Sequence, residues 1–148
     1  MDLLPWLQQN PLLHGFTEDG MRIIQSVCVP RQLEAGSPIF VQRMQGESLF
    51  MLAHGEVAVV LAKNGIEREI GVLQAPDAFG EMSLIVPAPR RVTVRARTPV
   101  ALIEIPRRDF LNLQKQRPQA CLKLQVSIAE RFAAYAAAAG NSFERLVD

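Results

Sequence analysis

The stretch Glu56–Leu73, EVAVVLAKNGIEREIGVL, sets the structural class. Asn64-Gly65 lies between two runs with strand patterning, Val57–Ala62 and Glu67–Val72. Asn and Gly accept the positive φ angles of a two-residue type I′ turn, whose twist suits a β-hairpin. The spacing therefore predicts an antiparallel hairpin turning at Asn64-Gly65. Outward from it, turn signals recur at Ala35-Gly36, Gln45-Gly46, His54-Gly55, Ala75-Pro76-Asp77 and Pro87-Ala88-Pro89. They separate the runs Pro38–Val41, Ser48–Leu52, Glu56–Ala62, Glu67–Leu73, Arg91–Ala96 and Val100–Ile105. Short strands at intervals of ~8–12 residues argue for an antiparallel sandwich or barrel across 31–106.

Both ends read differently. Residues 1–30 mix prolines with short apolar clusters. Thr17, followed by Glu18 and Asp19, reads as an N-cap with acids in the first turn. Met21 and Ile24 then recur at helical spacing. Over 107–139 the chain turns helical. Asp109 is the expected cap of a short helix holding Phe110 and Leu113, and Pro118 suits the first turn of the next. Leu124, Ile128, Phe132 and Tyr135 form a stripe expected to be buried against the sandwich, a second copy or a ligand. Gly140-Asn141 reads as a stop, and 140–148 as a tail.

Composition narrows the classes. The chain has 148 residues, which fits one domain over 1–148. Its 49% hydrophobic and 21% charged residues are globular proportions and argue against disorder. A net charge of +1 argues against a surface that grips nucleic acid non-specifically. Two cysteines, Cys28 and Cys121, fit neither a disulfide framework nor a zinc site. The start, with Asp2 and prolines at 5 and 11, lacks the basic end and unbroken apolar core of an export signal. A reduced, cytoplasmic setting without membrane contact is expected.

The chemistry-bearing stretch is residues 79–94, FGEMSLIVPAPRRVTV. Gly80 permits close backbone approach to a ligand. Unpaired amides after it attract an anion. Arg90 supplies a permanently charged fork suited to phosphate. Glu81 repels a phosphate but accepts hydrogen bonds from sugar hydroxyls. The arrangement reads as a cradle for a phosphorylated sugar on a β scaffold. The bland alternative is a solvated arginine and a glutamate favoured by a helix start.

Phe79-Gly80-Glu81 through Pro89-Arg90 and Thr93-Val94 closely resembles the cyclic nucleotide-binding domain family, shared by catabolite activator proteins, protein kinase A regulatory subunits and cyclic-nucleotide-gated channels. The resemblance runs from about Leu12 to Ala138. It takes in Leu33-Glu34-Ala35-Gly36, Gly46-Glu47-Ser48-Leu49-Phe50, Gly55-Glu56-Val57, Gly65-Ile66-Glu67 and Ile105–Phe110. It implies a mainly β fold with flanking helices: a jelly-roll (double-stranded β-helix) sandwich of about eight strands plus a C-terminal helix. It implies cAMP or cGMP as ligand, with Glu81 on the ribose 2′-hydroxyl and Arg90 on the cyclic phosphate. Amides around Gly80, Met82 and Ser83 would complete the cradle. Phe79 is expected to pack beneath it.

The sequence departs from the family at Arg91 and Val92, where small residues are usual, and at Arg43 and Pro76, where glycine is usual. Arg91 either strengthens the anion site or points into solvent, and Val92 borders the nucleotide. A register with Arg91 on the phosphate is possible, but Arg90 keeps Thr93–Ala96 in step with the family strand. Arg91, Arg95 and Arg97 would share one strand face, read as a solvated basic stripe.

The resulting expectation is a non-enzymatic sensor without metal or cofactor. Its C-terminal helix would signal to a homodimer partner or another protein. Direct DNA binding is not expected, because the chain ends before the place of the activators' helix-turn-helix. Two other readings stand beside it: a ligand-free interaction module, and the sensor fragment of a longer transcription regulator or other signalling protein. His14 and His54 are isolated and make no metal pattern.

Overall fold

A computed structural model describes residues 2–139; the stop at Gly140-Asn141 and the tail 140–148 lie outside the described residues. Eight strands form two four-stranded antiparallel sheets. They are β1 (Val29–Leu33), β2 (Pro38–Phe40), β3 (Ser48–His54), β4 (Glu56–Lys63), β5 (Ile66–Gln74), β6 (Ala78–Phe79), β7 (Thr93–Ala96) and β8 (Val100–Pro106). One sheet has the order β1-β8-β3-β6 and the other β2-β7-β4-β5. Helices α1 (Leu4–Gln9), α2 (Glu18–Gln25), α3 (Arg107–Gln116) and α4 (Pro118–Ala139) flank them.

The Asn64-Gly65 hairpin forms as the turn chemistry requires. Lys63 pairs with Ile66 across it. The backbone φ is 56° at Asn64 and 77° at Gly65, both positive. The expected Thr17 cap also forms, its side chain accepting from the Gly20 amide at 3.0 Å. Pro118 opens α4, where its missing N–H costs nothing.

Two cores share β3 and β8. Phe50, Leu52, Val100 and Leu102 face the sandwich interior with Phe40, Val57, Phe79 and Val94. Leu49, Met51, Ile103 and Ile105 face the helices and meet Leu7, Ile24, Phe110, Leu124 and Ile128. Burial on both faces explains why Ser48–Leu52 shows no alternation in sequence. Each such side chain contributes ~1.5–3 kcal/mol of burial free energy, and the helices are held chiefly by this second core.

Two expectations need correction, and a third divides within the single chain. Asp109 does not cap α3: that helix begins two residues earlier, at Arg107, with Pro106 in the cap position and Asp109 inside the first turn. The φ fixed by the Pro106 ring suits that extended position. The strand expected over Arg91–Ala96 starts only at Thr93. The stripe on α4 splits. Leu124 and Ile128 are fully buried, but Phe132 and Tyr135 are 51% and 53% exposed. The core covers only the first half of this 22-residue helix. At the rise of an α-helix that length is about 33 Å, and its buried positions end at Ile128, halfway along.

Candidate functional site

The cassette begins where β6 ends. Gly80 adopts a φ of 72°, in the left-handed region, and a 3-10 turn over Glu81–Leu84 follows. A Cβ at Gly80 would lie 2.6 Å from Arg90 Nη1 and 3.1 Å from the Ser48 carbonyl oxygen. Both the turn and the arginine therefore require glycine. Ser83 is buried, and its amide donates back to the Gly80 carbonyl at 3.1 Å. The amides of Glu81 and Met82 make no backbone hydrogen bond among the described residues. The Glu81 amide is turned to its own carboxylate, and the Met82 amide is left free by the turn. Met82 itself is exposed and Phe79 is buried, the latter stacked on Phe50 at 5.5 Å between ring centroids.

Arg90 reaches this turn from the far end of the cassette. Its backbone is pinned on both sides: its amide donates to the Met44 carbonyl at 2.6 Å, and its carbonyl accepts from the Arg43 amide at 2.7 Å. Its guanidinium donates through Nη2 to the Ser48 carbonyl at 2.7 Å and lies 4.0 Å over the Phe40 ring. Cation–π contact and one strong hydrogen bond thus fix a partly buried charge. Burial pulls the guanidinium below its usual range, opposed by the charges of Glu104 and Glu81. A charge held this way gains from an arriving anion.

Arg91, one residue on, is exposed and makes no ion pair among the described residues. Arg95 and Arg97 face Glu67, Glu56 and Glu69 at 3.4–3.7 Å, a solvated charge ladder. Val92 packs on the sandwich core. The structure thus brings Phe79, Gly80, Glu81, Met82, Ser83 and Arg90 around one turn, and leaves Arg91 outside it.

One residue of the site has no cassette signature. Arg131, on α4, is ion-paired with Asp77, donates to the Ala78 carbonyl at 3.1 Å, and brings Nε to 3.5 Å from Glu81 Oε1. Its partners lie 50–54 positions earlier in the chain, so no local pattern announces it; an arginine on an otherwise Ala-rich helix was the one available hint. Asp77 is the main partner. Burial pushes Arg131 down, but the hydrogen bond and charge of Asp77, with Glu81 and Tyr135 behind, hold it above its usual range. Arg131 Nε makes no hydrogen bond among the described residues. Glu81 is therefore near a positive charge without being hydrogen-bonded by it. Burial raises its carboxyl above the usual carboxylate range, against its own backbone amide and Arg131.

That shift has a pH consequence. Above about pH 4.5, the unfolded chain ionises Glu81 while the folded carboxyl resists. Folded stability from this group falls as pH rises through that window, up to the raised folded value, and stays lower beyond it. Glu81→Gln removes the loss. The stability difference between variant and parent should grow in the variant's favour from pH 4 to pH 8, measured by urea unfolding. A difference constant across that range would contradict the assignment.

Among the described residues no group of three His, Cys, Asp or Glu side chains is placed to hold a metal ion. No described helix is long and apolar enough to cross a membrane. Burial drives the Cys28 thiol up to about 12, which favours the protonated form.

The class is a two-sheet β sandwich with a partly buried arginine seated on a glycine turn and a C-terminal helix tied to the same turn. The family model described as "Cyclic nucleotide-binding domain" matches residues 30–117, and the chain belongs to that family. It is 29% identical over 126 residues to the Cyclic AMP receptor protein of Thermus thermophilus, across 84% of this chain and 58% of that protein. It is 30% identical over 127 residues to Glutaminase 1 of Bradyrhizobium diazoefficiens, across 86% of this chain but 20% of that protein. Among solved structures, the Thermus thermophilus catabolite activator protein matches with a TM-score of 0.79 and 28% identity, over 93% of this chain and 63% of that one. The regulatory domain of Toxoplasma gondii protein kinase A in co-crystal with cAMP matches at a TM-score of 0.67 and 28% identity, over 75% of this chain and 42% of that one. The chain thus spans between a fifth and three fifths of the length of these two sequence relatives.

Proposed function

We propose that this domain is a cyclic-nucleotide sensor for cAMP or cGMP. The observation that carries the reading is the pairing of two partly buried, opposite charges on one turn, each with capacity to spare. Arg90 offers the remainder of its fork to the cyclic phosphate, with the Met82 amide beside it. Glu81 offers a desolvated carboxylate to the ribose 2′-hydroxyl. Donation from that hydroxyl replaces hydration that Glu81 lost on folding, and so binding relieves the burial cost. Arg131 bridges the same carboxylate and α4. A ligand that re-partners Glu81 changes what holds α4, and this is the differential contact that coupling requires. The role in this reading is regulatory and non-enzymatic, with a cytoplasmic setting as part of the same proposal.

The direct test is calorimetric titration with cAMP, cGMP and 5′-AMP. The proposal requires binding of at least one cyclic nucleotide and a thermal shift that grows with its concentration. The second reading, a ligand-free interaction module, draws on the seat of Arg90: carbonyl and ring contacts already satisfy part of its charge. Absence of binding and of any shift at saturating nucleotide would favour that module.

Output through a homodimer has its own support. Leu122, Val126, Ala129 and Ala133 are exposed at i, i+4, i+7 and i+11 along α4. A seam with that spacing and small residues suits close packing against a second α4. Sedimentation should show dimers for the parent and monomers for Val126→Glu, a change on an exposed position that leaves the fold intact. A parent that stays monomeric at hundred-micromolar concentration would exclude this output.

A further inference from the structure

A second cationic cleft borders the cassette at Pro87 and opens along α3. On α3, Arg108, Leu111, Asn112 and Lys115 recur at i, i+3, i+4 and i+7 and so share one face. With Arg107 and the Gln45–Ser48 segment opposite, this face lines an open cleft of about 990 Å³. Neither Gly80, Glu81 nor Arg90 lines it.

Its charges are unbalanced. Arg107, Arg108 and Lys115 make no ion pair among the described residues. Two acids line the same cleft. Glu104 is already committed, paired with Arg31 and accepting from Ser48 Oγ at 2.5 Å. Glu47 is exposed and unpaired among the described residues. Asp109, on the neighbouring face of α3, lines a different cleft beside Cys28. Three free cations therefore face one free carboxylate. Arg107 also buries an Nε with no hydrogen-bond partner among the described residues, an unsatisfied donor that folding leaves at a cost. Leu111 and Pro87 give the cleft an apolar wall between its charged ends.

We propose that this cleft binds a phosphorylated small molecule carrying two anionic groups joined by an apolar body. Arg107 and Arg108 take one phosphate, since guanidinium forks match phosphate oxygens. Lys115 takes the second group. Seven helical residues separate Arg108 from Lys115, about 10.5 Å along the axis, which sets the ligand's span. Leu111 supports the body between them. The proposed site uses none of the cassette's charged residues, although Ser48 and Pro87 border both.

The probe is hexane-1,6-diol bisphosphate, titrated into the nucleotide-free protein and followed by backbone amide chemical shifts. Shifts should centre on residues 107–115 and 45–48. Lys115→Ala, at an exposed helical position, should weaken binding roughly tenfold while leaving cyclic-nucleotide affinity unchanged. Arg107→Ala should weaken it at least as much. Inorganic phosphate should bind more weakly than the bisphosphate; equal binding would mean an adventitious ion only and would overturn the two-group site. Shifts centred on residues 79–94, or none on α3 at 10 mM probe, would overturn it too.

Discussion

Arg90→Ala should weaken cyclic-nucleotide binding by roughly 30- to 3,000-fold, the range expected when one partner of a buried charge pair is truncated. The size follows from where Arg90 sits. Its guanidinium is half withdrawn from water, oriented by the Ser48 carbonyl and the Phe40 ring, and backed by two main-chain bonds at residue 90 itself. An anion meeting such a fork gives up its own hydration to a donor set already in position, so little of the binding energy is spent on ordering. Removing the fork leaves the phosphate facing the free Met82 amide alone. Arg90 also holds the turn together, so loss of binding could reflect a collapsed cassette. Arg90→Lys separates the two effects. It keeps a charge near Phe40 but loses the two-pronged geometry, and should bind with intermediate affinity in a protein whose melting temperature stays close to the parent's. Unchanged affinity in Arg90→Ala by calorimetry would remove Arg90 from the site. Unchanged binding there with the full loss appearing in Arg91→Ala would move the phosphate contact one residue on.

Arg131→Ala should destabilise the ligand-free domain by about 3 kcal/mol, or roughly 6–12 °C in melting temperature. Two carboxylates, Asp77 and Glu81, then lose their shared counter-charge. The Arg131 and Glu81 side chains are 14% and 16% exposed, and that of Asp77 is 31% exposed. The loss therefore falls at the low end of what breaking a buried pair costs. The Ala78 carbonyl loses a donor as well. Arg131→Met keeps the packing of the stem and isolates the charge; it should recover only a small part of the loss. A melting temperature within about 1 °C of the parent would show that the Asp77–Arg131–Glu81 bridge contributes nothing, and with it the link from cassette to α4 would fall.

Much of this molecule is set by neighbours in sequence. The β4–β5 hairpin needs only Asn64-Gly65, because the turn's positive φ angles are a property of two residues. The α2 start needs only Thr17, and the α4 start only Pro118. The glycine turn and Arg90 form a contiguous cassette, so most of the candidate site could be read from one sixteen-residue stretch. Two strands escaped the sequence pattern for opposite reasons. β6 has two residues, too few for any periodicity. β1 is an edge strand, exposed at four of its five positions and containing Pro30, so it carries no alternating signal.

Tertiary structure decided the rest. Whether Phe132 and Tyr135 are buried depends on how far the core extends beneath α4, and helical spacing cannot say where a core ends. Whether Arg91 joins Arg90 in the site depends on where β7 begins pairing with β4. Whether Glu81 stands alone or beside a cation depends on Arg131, brought to it by the packing of α4 against the cassette. Local φ preferences and turn chemistry act over two to four residues, and those the sequence determined by itself. Ion pairs and burial act across space between segments fifty residues apart, so only the folded chain could assign them.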